Sequence, residues 1–172
     1  MRTTVRYAIL FAATMLVQTL VLDRLMLSVY FAPMIYTAVL LLLPVETPSV
    51  VNLFTGFGSG VVMDLLCGTA GLHTIASTAA GYIRRPLLTA IVGHEGMRDV
   101  NVPSGKTMGR RQYVQYLLIM TAFHAILFYA VDSLTFGHFL YTALRFAVGT
   151  VSSLLMLWVT ARLFTIKTGS RQ

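Results

Sequence analysis

Apolar residues fill six long runs of this chain, and polar residues gather in the connections between them. A helix needs about 17–25 apolar residues to cross the hydrocarbon core of a bilayer, and the runs fall near that length. The pattern predicts a single transmembrane domain, residues 1–172, which is an all-α integral membrane protein built as a six-transmembrane-helix bundle. The predicted spans are 5–22, 25–43, 50–66, 71–92, 113–131 and 139–164, with a cytoplasmic loop at 93–112.

Two of the predicted spans carry interruptions. Pro33 falls inside the second span, and because proline has no backbone N–H it predicts a kink or a local break there. Arg84 and Arg85 interrupt the fourth span. The pattern therefore predicts that the fourth helix ends near Ile83 and that residues 86–92 lie at the membrane interface.

Charged residues make up only 11% of the chain, too few to cover the surface of a soluble domain of this size. The net charge is +7, and the basic residues gather before the first span, after the fourth span and after the last span. With six crossings, all three groups lie on the same side of the membrane. Because basic residues are enriched on the cytoplasmic side, both termini are predicted to be cytoplasmic, and no nucleic-acid partner is predicted.

An acidic residue, Asp64, lies near the end of the third predicted span, in the segment GFGSGVVMDLLCGTAGLHT that begins at Gly56. A carboxylate inside hydrocarbon is costly, so it usually faces a partner helix or a water-filled cavity. Gly56 and Gly60 stand one turn apart on the helix face that carries Asp64, and small residues let two backbones approach closely. The spacing predicts close helix packing. It lacks the G-x-G-x-x-G pattern of a nucleotide loop.

Arg145, in the sixth predicted span, is the candidate counter-ion of Asp64. Gly149, Ser152 and Ser153 follow Arg145 at helical spacing and give that helix a small, polar face. Both charges fall in the outer half of the predicted bundle, and the long arginine side chain can extend toward the carboxylate. The sequence therefore predicts an Asp64–Arg145 ion pair that holds the third and sixth spans together.

Several polar residues near the outer side raise the alternative of a metal or proton site: His73, Asp132, His138 and the deeper His124. No two of these histidines have the i, i+4 spacing of a helical metal site, and the single cysteine, Cys67, excludes a multi-cysteine site. The sequence predicts no metal and no cofactor, and it predicts His124 as a hydrogen-bonded packing residue. No nucleophile motif such as G-x-S-x-G occurs, so no enzymatic activity is predicted.

The long connection 93–112, GHEGMRDVNVPSGKTMGRRQ, is polar, glycine-rich and basic. Its lysine and arginines predict a solvated loop held near anionic lipid headgroups. The alternative is a docking surface for a cytoplasmic or membrane partner.

The pattern Gly60-x-x-x-Asp64-x-x-x-Gly68-x-x-Gly71-Leu72 resembles the signature of the MreD family of bacterial rod shape-determining membrane proteins. The resemblance implies a non-enzymatic component of the cell-elongation machinery in the bacterial inner membrane, supporting rod shape and lateral peptidoglycan synthesis. It implies an MreC-like bitopic protein as partner. The MreB filament and the RodA–transpeptidase complex are implied as direct or indirect partners.

A second resemblance gives an alternative function. MreD-like proteins are similar in span count and size to the substrate-binding S component of ECF vitamin transporters. Ala8-x-x-x-Ala12 in the first span is similar to the small-residue motif with which those components meet their energising partner. The resemblance implies that the six-helix bundle is similar to the S-component fold. The alternative function is a substrate-binding membrane subunit of an ECF-type transporter for a vitamin or another small molecule.

Overall fold

The computed structural model describes the backbone of residues 2–22, 33–136 and 139–169. Helices are the regular structure of these residues, which contain no strand, and this confirms the all-α prediction. The helices are α1 (Arg2–Val17), which continues as a π-helical turn (Gln18–Leu22), α2 (Ala38–Leu41), which follows a 3-10 turn (Ile35–Thr37), α3 (Ser49–Cys67), α4 (Leu72–Asp99), α5 (Arg110–Phe136) and α6 (Phe139–Gly169).

Three stretches of the described helices are long and apolar enough to cross a membrane: Ser49–Cys67, Arg110–Asp132 and Ala143–Leu163. Tyr7–Leu22 forms a shorter apolar helix. Large apolar side chains lie exposed along all four stretches, as expected for helices that face lipid. The structure therefore supports a membrane protein, and the number of six crossings stays a prediction.

The second predicted span, 25–43, differs from a continuous helix in the part that is described. Residues 23–32 lie outside the described residues, and residues 33 and 34 are not helical. A 3-10 turn and the four-residue α2 follow, and every residue from Pro33 to Leu43 is buried. The absence of helix at Pro33 and Met34 agrees with the predicted break, because proline has no backbone N–H to donate. We call residues 33–43 the broken segment, which lies in the interior of the bundle.

The fourth helix does not end near Ile83, which corrects the sequence prediction. α4 runs through Arg84, Arg85 and Pro86 and stays helical as far as a break at Gly93, which has φ 80° and ψ 161°. The basic pair resembles a membrane boundary in sequence, but the two residues have different environments. Arg84 is buried and Arg85 is exposed, so only one of the two marks a polar surface.

The predicted loop 93–112 is more ordered than a solvated connection. Its first residues continue α4 to Asp99, beyond the break at Gly93. Val100, Pro103, Ser104 and Met108 are buried, and their burial ties the connection to the end of the bundle. This corrects the expectation of a fully solvated loop.

Candidate functional site

The broken segment around α2 has its amino-terminal polar groups bonded by side chains from other helices. The side-chain oxygen of Gln18 accepts a hydrogen bond from the Ile35 N–H at 2.8 Å, and its Nε2 donates to the Pro33 carbonyl at 2.9 Å. The Met34 N–H donates to Ser153 Oγ at 2.9 Å. Irregular backbone at membrane depth persists only where its polar groups are satisfied by protein. Gln18 and Ser153 therefore fix this segment between α1 and α6.

The carboxyl-terminal end of the same segment is bonded by Arg84, whose side chain is completely buried. Its guanidinium donates to the Leu43 carbonyl, to the Pro44 carbonyl at 3.4 Å and to Asn52 Oδ1 at 3.1 Å. The planar fork of the arginine guanidinium suits several acceptors at once. Arg84 therefore joins α3 and α4 to the end of the broken segment.

Tyr116 of α5 forms hydrogen bonds both to Arg84 and to the broken segment. The Arg84 Nε donates to the Tyr116 hydroxyl at 3.1 Å, and that hydroxyl donates to the Leu41 carbonyl at 3.1 Å. The sequence pattern predicts Arg84 at the end of the fourth span and indicates no partner for it. The available signal was a set of polar residues inside apolar runs, Asn52 and Tyr116 among them, each of which needs a hydrogen-bond partner when buried.

A second polar cluster surrounds the Tyr36 hydroxyl, which lies on the 3-10 turn before α2. His124 Nε2 lies 2.8 Å from this oxygen, Ser77 Oγ 3.0 Å and His73 Nδ1 3.1 Å. Ser77 Oγ also lies 3.2 Å from His124 Nε2. All four residues are buried. We call them the histidine–tyrosine cluster. The hydrogen-bonded packing role predicted for His124 is confirmed, and the clustering with His73 is new.

The Asp64 carboxylate accepts hydrogen bonds within the hairpin that α3 and α4 form. One carboxylate oxygen accepts from the Thr69 hydroxyl at 2.5 Å and from the His73 N–H at 3.0 Å. The other accepts from the Thr74 N–H at 2.9 Å and from its hydroxyl at 2.5 Å. These two amides belong to the first turn of α4, where helix N–H groups lack partners. A carboxylate at this position satisfies them and complements the helix dipole.

The two glycines after Asp64 shape the turn that carries the chain from α3 to α4. Gly68 has φ 67° and ends α3, and Gly71 has φ 88° and precedes α4. Glycine adopts these left-handed conformations without steric cost. The turn brings the start of α4 onto the Asp64 carboxylate, so Asp64, Gly68 and Gly71 act as one structural unit.

Gly56 and Gly60 lie where α3 and α4 are in close backbone contact. A Cβ at Gly56 would overlap the Ser77 carbonyl, and a Cβ at Gly60 would come within 2.7 Å of the His73 carbonyl oxygen. The structure adds Gly81 of α4, where a Cβ would come within 2.5 Å of the Asn52 carbonyl oxygen. Gly81 has no counterpart in the predicted glycine pattern of α3, yet it supplies the same close contact from the opposite helix.

Arg145 has a different partner from the predicted one. Its guanidinium forms an ion pair with Asp132 of α5 at 2.9 Å. The Asp64 carboxylate instead accepts its four hydrogen bonds from the α3–α4 hairpin. The Asp64–Arg145 prediction is therefore corrected: α6 packs beside α5, and the neighbouring helix offers the closer acid.

Gly149 lies against α5, on the same side of α6 as Arg145. A Cβ at Gly149 would overlap the Tyr129 hydroxyl. The Arg145 guanidinium lies 5.6 Å from the centre of the Tyr129 ring, within cation–π range. Gly149 and Arg145 therefore contribute to the α5–α6 contact. His138, the remaining histidine of the predicted outer group, lies outside the described residues.

The chain was compared with protein-family models, with curated proteins and with solved structures, and nothing matches in any of the three.

Proposed function

We propose that this chain is a non-enzymatic membrane component of a bacterial cell-elongation machinery, with the role that its MreD-like motif implies. The observation that carries the proposal is the bonding of Asp64. Its two oxygens accept four hydrogen bonds within the α3–α4 hairpin. Four hydrogen bonds to one carboxylate stabilise the turn between two helices, so they support a structural role for this residue. The motif therefore suits a protein that acts through its shape.

We place the chain in the bacterial inner membrane with six crossings, cytoplasmic termini and the S-component-like arrangement of helices. Its partners would be an MreC-like bitopic protein, and, directly or through it, the MreB filament and the RodA–transpeptidase complex. The exposed basic residues Arg85, Arg98, Lys106, Arg110 and Arg111 support the orientation, because such residues favour the cytoplasmic side.

Depletion of the protein in its native rod-shaped host tests this function. We expect cells to widen and round, and we expect wild-type protein and the Gly58→Ala variant to restore the rod shape. Gly58 is a suitable control, because a Cβ there meets no atom within 4 Å. Crosslinking in native membranes followed by purification should recover the MreC-like protein. Cells that keep their width and shape throughout depletion would refute the proposal.

One observation favours the alternative of an ECF-type transporter subunit. Ala8 and Ala12 are both exposed on α1, so this face is available to a partner helix. The alternative predicts that depletion abolishes uptake of a vitamin or a related small molecule while cell shape stays normal. Uptake of radiolabelled vitamins by the depleted cells distinguishes the two functions.

A further inference from the structure

We propose that the outward face at the start of α5 binds an anionic phospholipid, with the lipid phosphate at Arg110 and Arg111 and the acyl chains along Val114 and Leu118. We call these four residues the lipid-binding face. The proposal rests on the location of the chain in a membrane and does not depend on the role in cell elongation. The sequence predicts headgroup contact for the whole basic connection 93–112, and the lipid-binding face narrows it to the end that enters α5.

The four residues share one side of the helix. Residues three or four positions apart are neighbours on a helix surface. Arg110 and Arg111 therefore both lie one turn before Val114 and two turns before Leu118. All four residues are exposed, and the two apolar ones have 46% and 50% of their surface accessible. An exposed apolar strip thus continues directly from the two cations.

This side of α5 points out of the bundle at the boundary of a membrane span. Tyr113, Tyr116 and Leu117, from the same two turns, are buried in the core, so the remaining side of the helix faces outward. The stretch of α5 that is long and apolar enough to cross a membrane begins at Arg110. In a bilayer that α5 spans, the arginines lie at the level of the headgroups, and the exposed apolar strip lies along the acyl chains.

The two arginines have no anionic partner among the described residues. The only ion pair in the described part of the chain joins Asp132 and Arg145. The first turn of α5 contains no acidic residue. Two neighbouring cations repel each other, and an anion beside both of them offsets this repulsion. Guanidinium groups suit a phosphate in particular, because their planar fork can bind two phosphate oxygens at once.

The apolar strip below the arginines favours a phospholipid over other anions. A free phosphate ion or an acidic peptide would be bound by the cations alone and would leave Val114 and Leu118 uncovered. A phospholipid carries its phosphate and its acyl chains in one molecule, in the order in which the lipid-binding face presents cations and apolar side chains. Basic residues at a membrane surface attract anionic lipids for the same electrostatic reason.

The end of α6 supports this placement of the membrane boundary. The Arg162 guanidinium lies 4.5 Å from the centre of the Trp158 ring, and both residues are exposed. Tryptophan is enriched at the interface between membrane and water. α6 runs antiparallel to α5, as two contacts show: Arg145 with Asp132, and Gly149 with Tyr129. The end of α6 and the start of α5 therefore lie at the same end of the bundle.

Lipid binding by the full-length protein, purified in a neutral detergent, tests the proposal. The probes are phosphatidylglycerol and phosphatidylcholine with identical acyl chains, titrated separately, and native mass spectrometry measures the dissociation constant of the first lipid bound. We expect the wild type to bind phosphatidylglycerol more tightly than phosphatidylcholine. Glycerol phosphate, which has the phosphate but no acyl chains, should not displace the bound phosphatidylglycerol when it is added in excess.

Two matched double variants separate the lipid-binding face from a general effect of charge. Arg110→Gln with Arg111→Gln should weaken phosphatidylglycerol binding by about fivefold for each arginine and about 25-fold for both. Arg98→Gln with Lys106→Gln removes the same net charge from exposed residues of the connection and should bind the lipid as the wild type does. Replacing Arg110 and Arg111 by lysine keeps both charges and should retain the preference for phosphatidylglycerol.

Three results would overturn the proposal. The wild type could bind the two lipids equally, which is also the result expected if an acidic segment of a partner protein is the natural occupant. Glycerol phosphate could displace phosphatidylglycerol, which would indicate a site for free phosphate. The two double glutamine variants could lose the same affinity, which would indicate an effect of net charge alone. The single variant Arg110→Gln keeps the comparison decisive if the double variant does not fold.

Discussion

The substitution Gly60→Ala gives the sharpest test of how α3 and α4 are held together. The added Cβ would lie 2.7 Å from the His73 carbonyl oxygen and 2.8 Å from the Thr74 nitrogen. Ordinary van der Waals contact begins at 3.4 Å, and the Thr74 Cα lies closer than either of these atoms, so the helices would have to separate locally by more than about 0.7 Å. All three atoms belong to the backbone of α4, so no side-chain rotation can relieve the overlap.

The size of the stability loss in Gly60→Ala follows from a comparison with Gly58→Ala on the same helix. Both changes gain about 0.8–1 kcal/mol of helix propensity. A Cβ at Gly58 meets nothing within 4 Å, so that gain is not opposed there. At Gly60 an added methyl in a packed contact costs about 1–3 kcal/mol. The difference between the two variants isolates the steric cost, and we expect Gly60→Ala to be less stable by about 1–3 kcal/mol.

The assay is reversible unfolding of the purified protein in detergent micelles with increasing denaturant, followed by circular dichroism. The free energy of unfolding is compared among wild type, Gly58→Ala and Gly60→Ala. Equal stabilities of the two variants would refute the close backbone contact. The same result would remove the packing account of the glycines in the MreD-like motif.

Three further experiments test the polar contacts of Asp64, of Arg84 and of the Asp132–Arg145 pair. Asp64→Asn should lower the free energy of unfolding by about 1.5–3 kcal/mol, because hydrogen bonds to a charged acceptor are lost; an unchanged denaturation midpoint would contradict this role. Arg84→Met should cost about 1–3 kcal/mol, because it leaves neutral buried acceptors unpaired. The exposed control Arg85→Met should stay within about 0.5 kcal/mol of wild type, and equal effects would rule out the buried role of Arg84. Exchanging Asp132 and Arg145 should recover the stability that either single charge reversal loses. The coupling energy in a double-mutant cycle should be about 1 kcal/mol or less, because the arginine side chain is 23% exposed to solvent. No recovery in the exchanged variant would contradict the ion pair.

The sequence determined the features that depend on local pattern. The apolar runs predict helices, and α3, α5 and α6 follow three of those predictions closely, because hydrophobic length specifies a membrane helix without reference to the other elements. Gly56 and Gly60 also indicate a close helix contact from local sequence alone, because a helix face without side chains lets another backbone approach closely. The absence of helix at Pro33 also agrees with the chemistry of that one residue.

Only the tertiary structure decided which polar residues meet. Arg84 looked like a membrane boundary because sequence shows its charge but not the carbonyls and amide that surround it. Asp64 and Arg145 looked like a pair because both are charged and lie in apolar runs, yet each is bonded by the element that packs beside it. His73 and His124 share the Tyr36 oxygen through contacts between separate elements. Helical periodicity records which face of a helix is buried, and the pairing of those faces depends on how all the helices pack together.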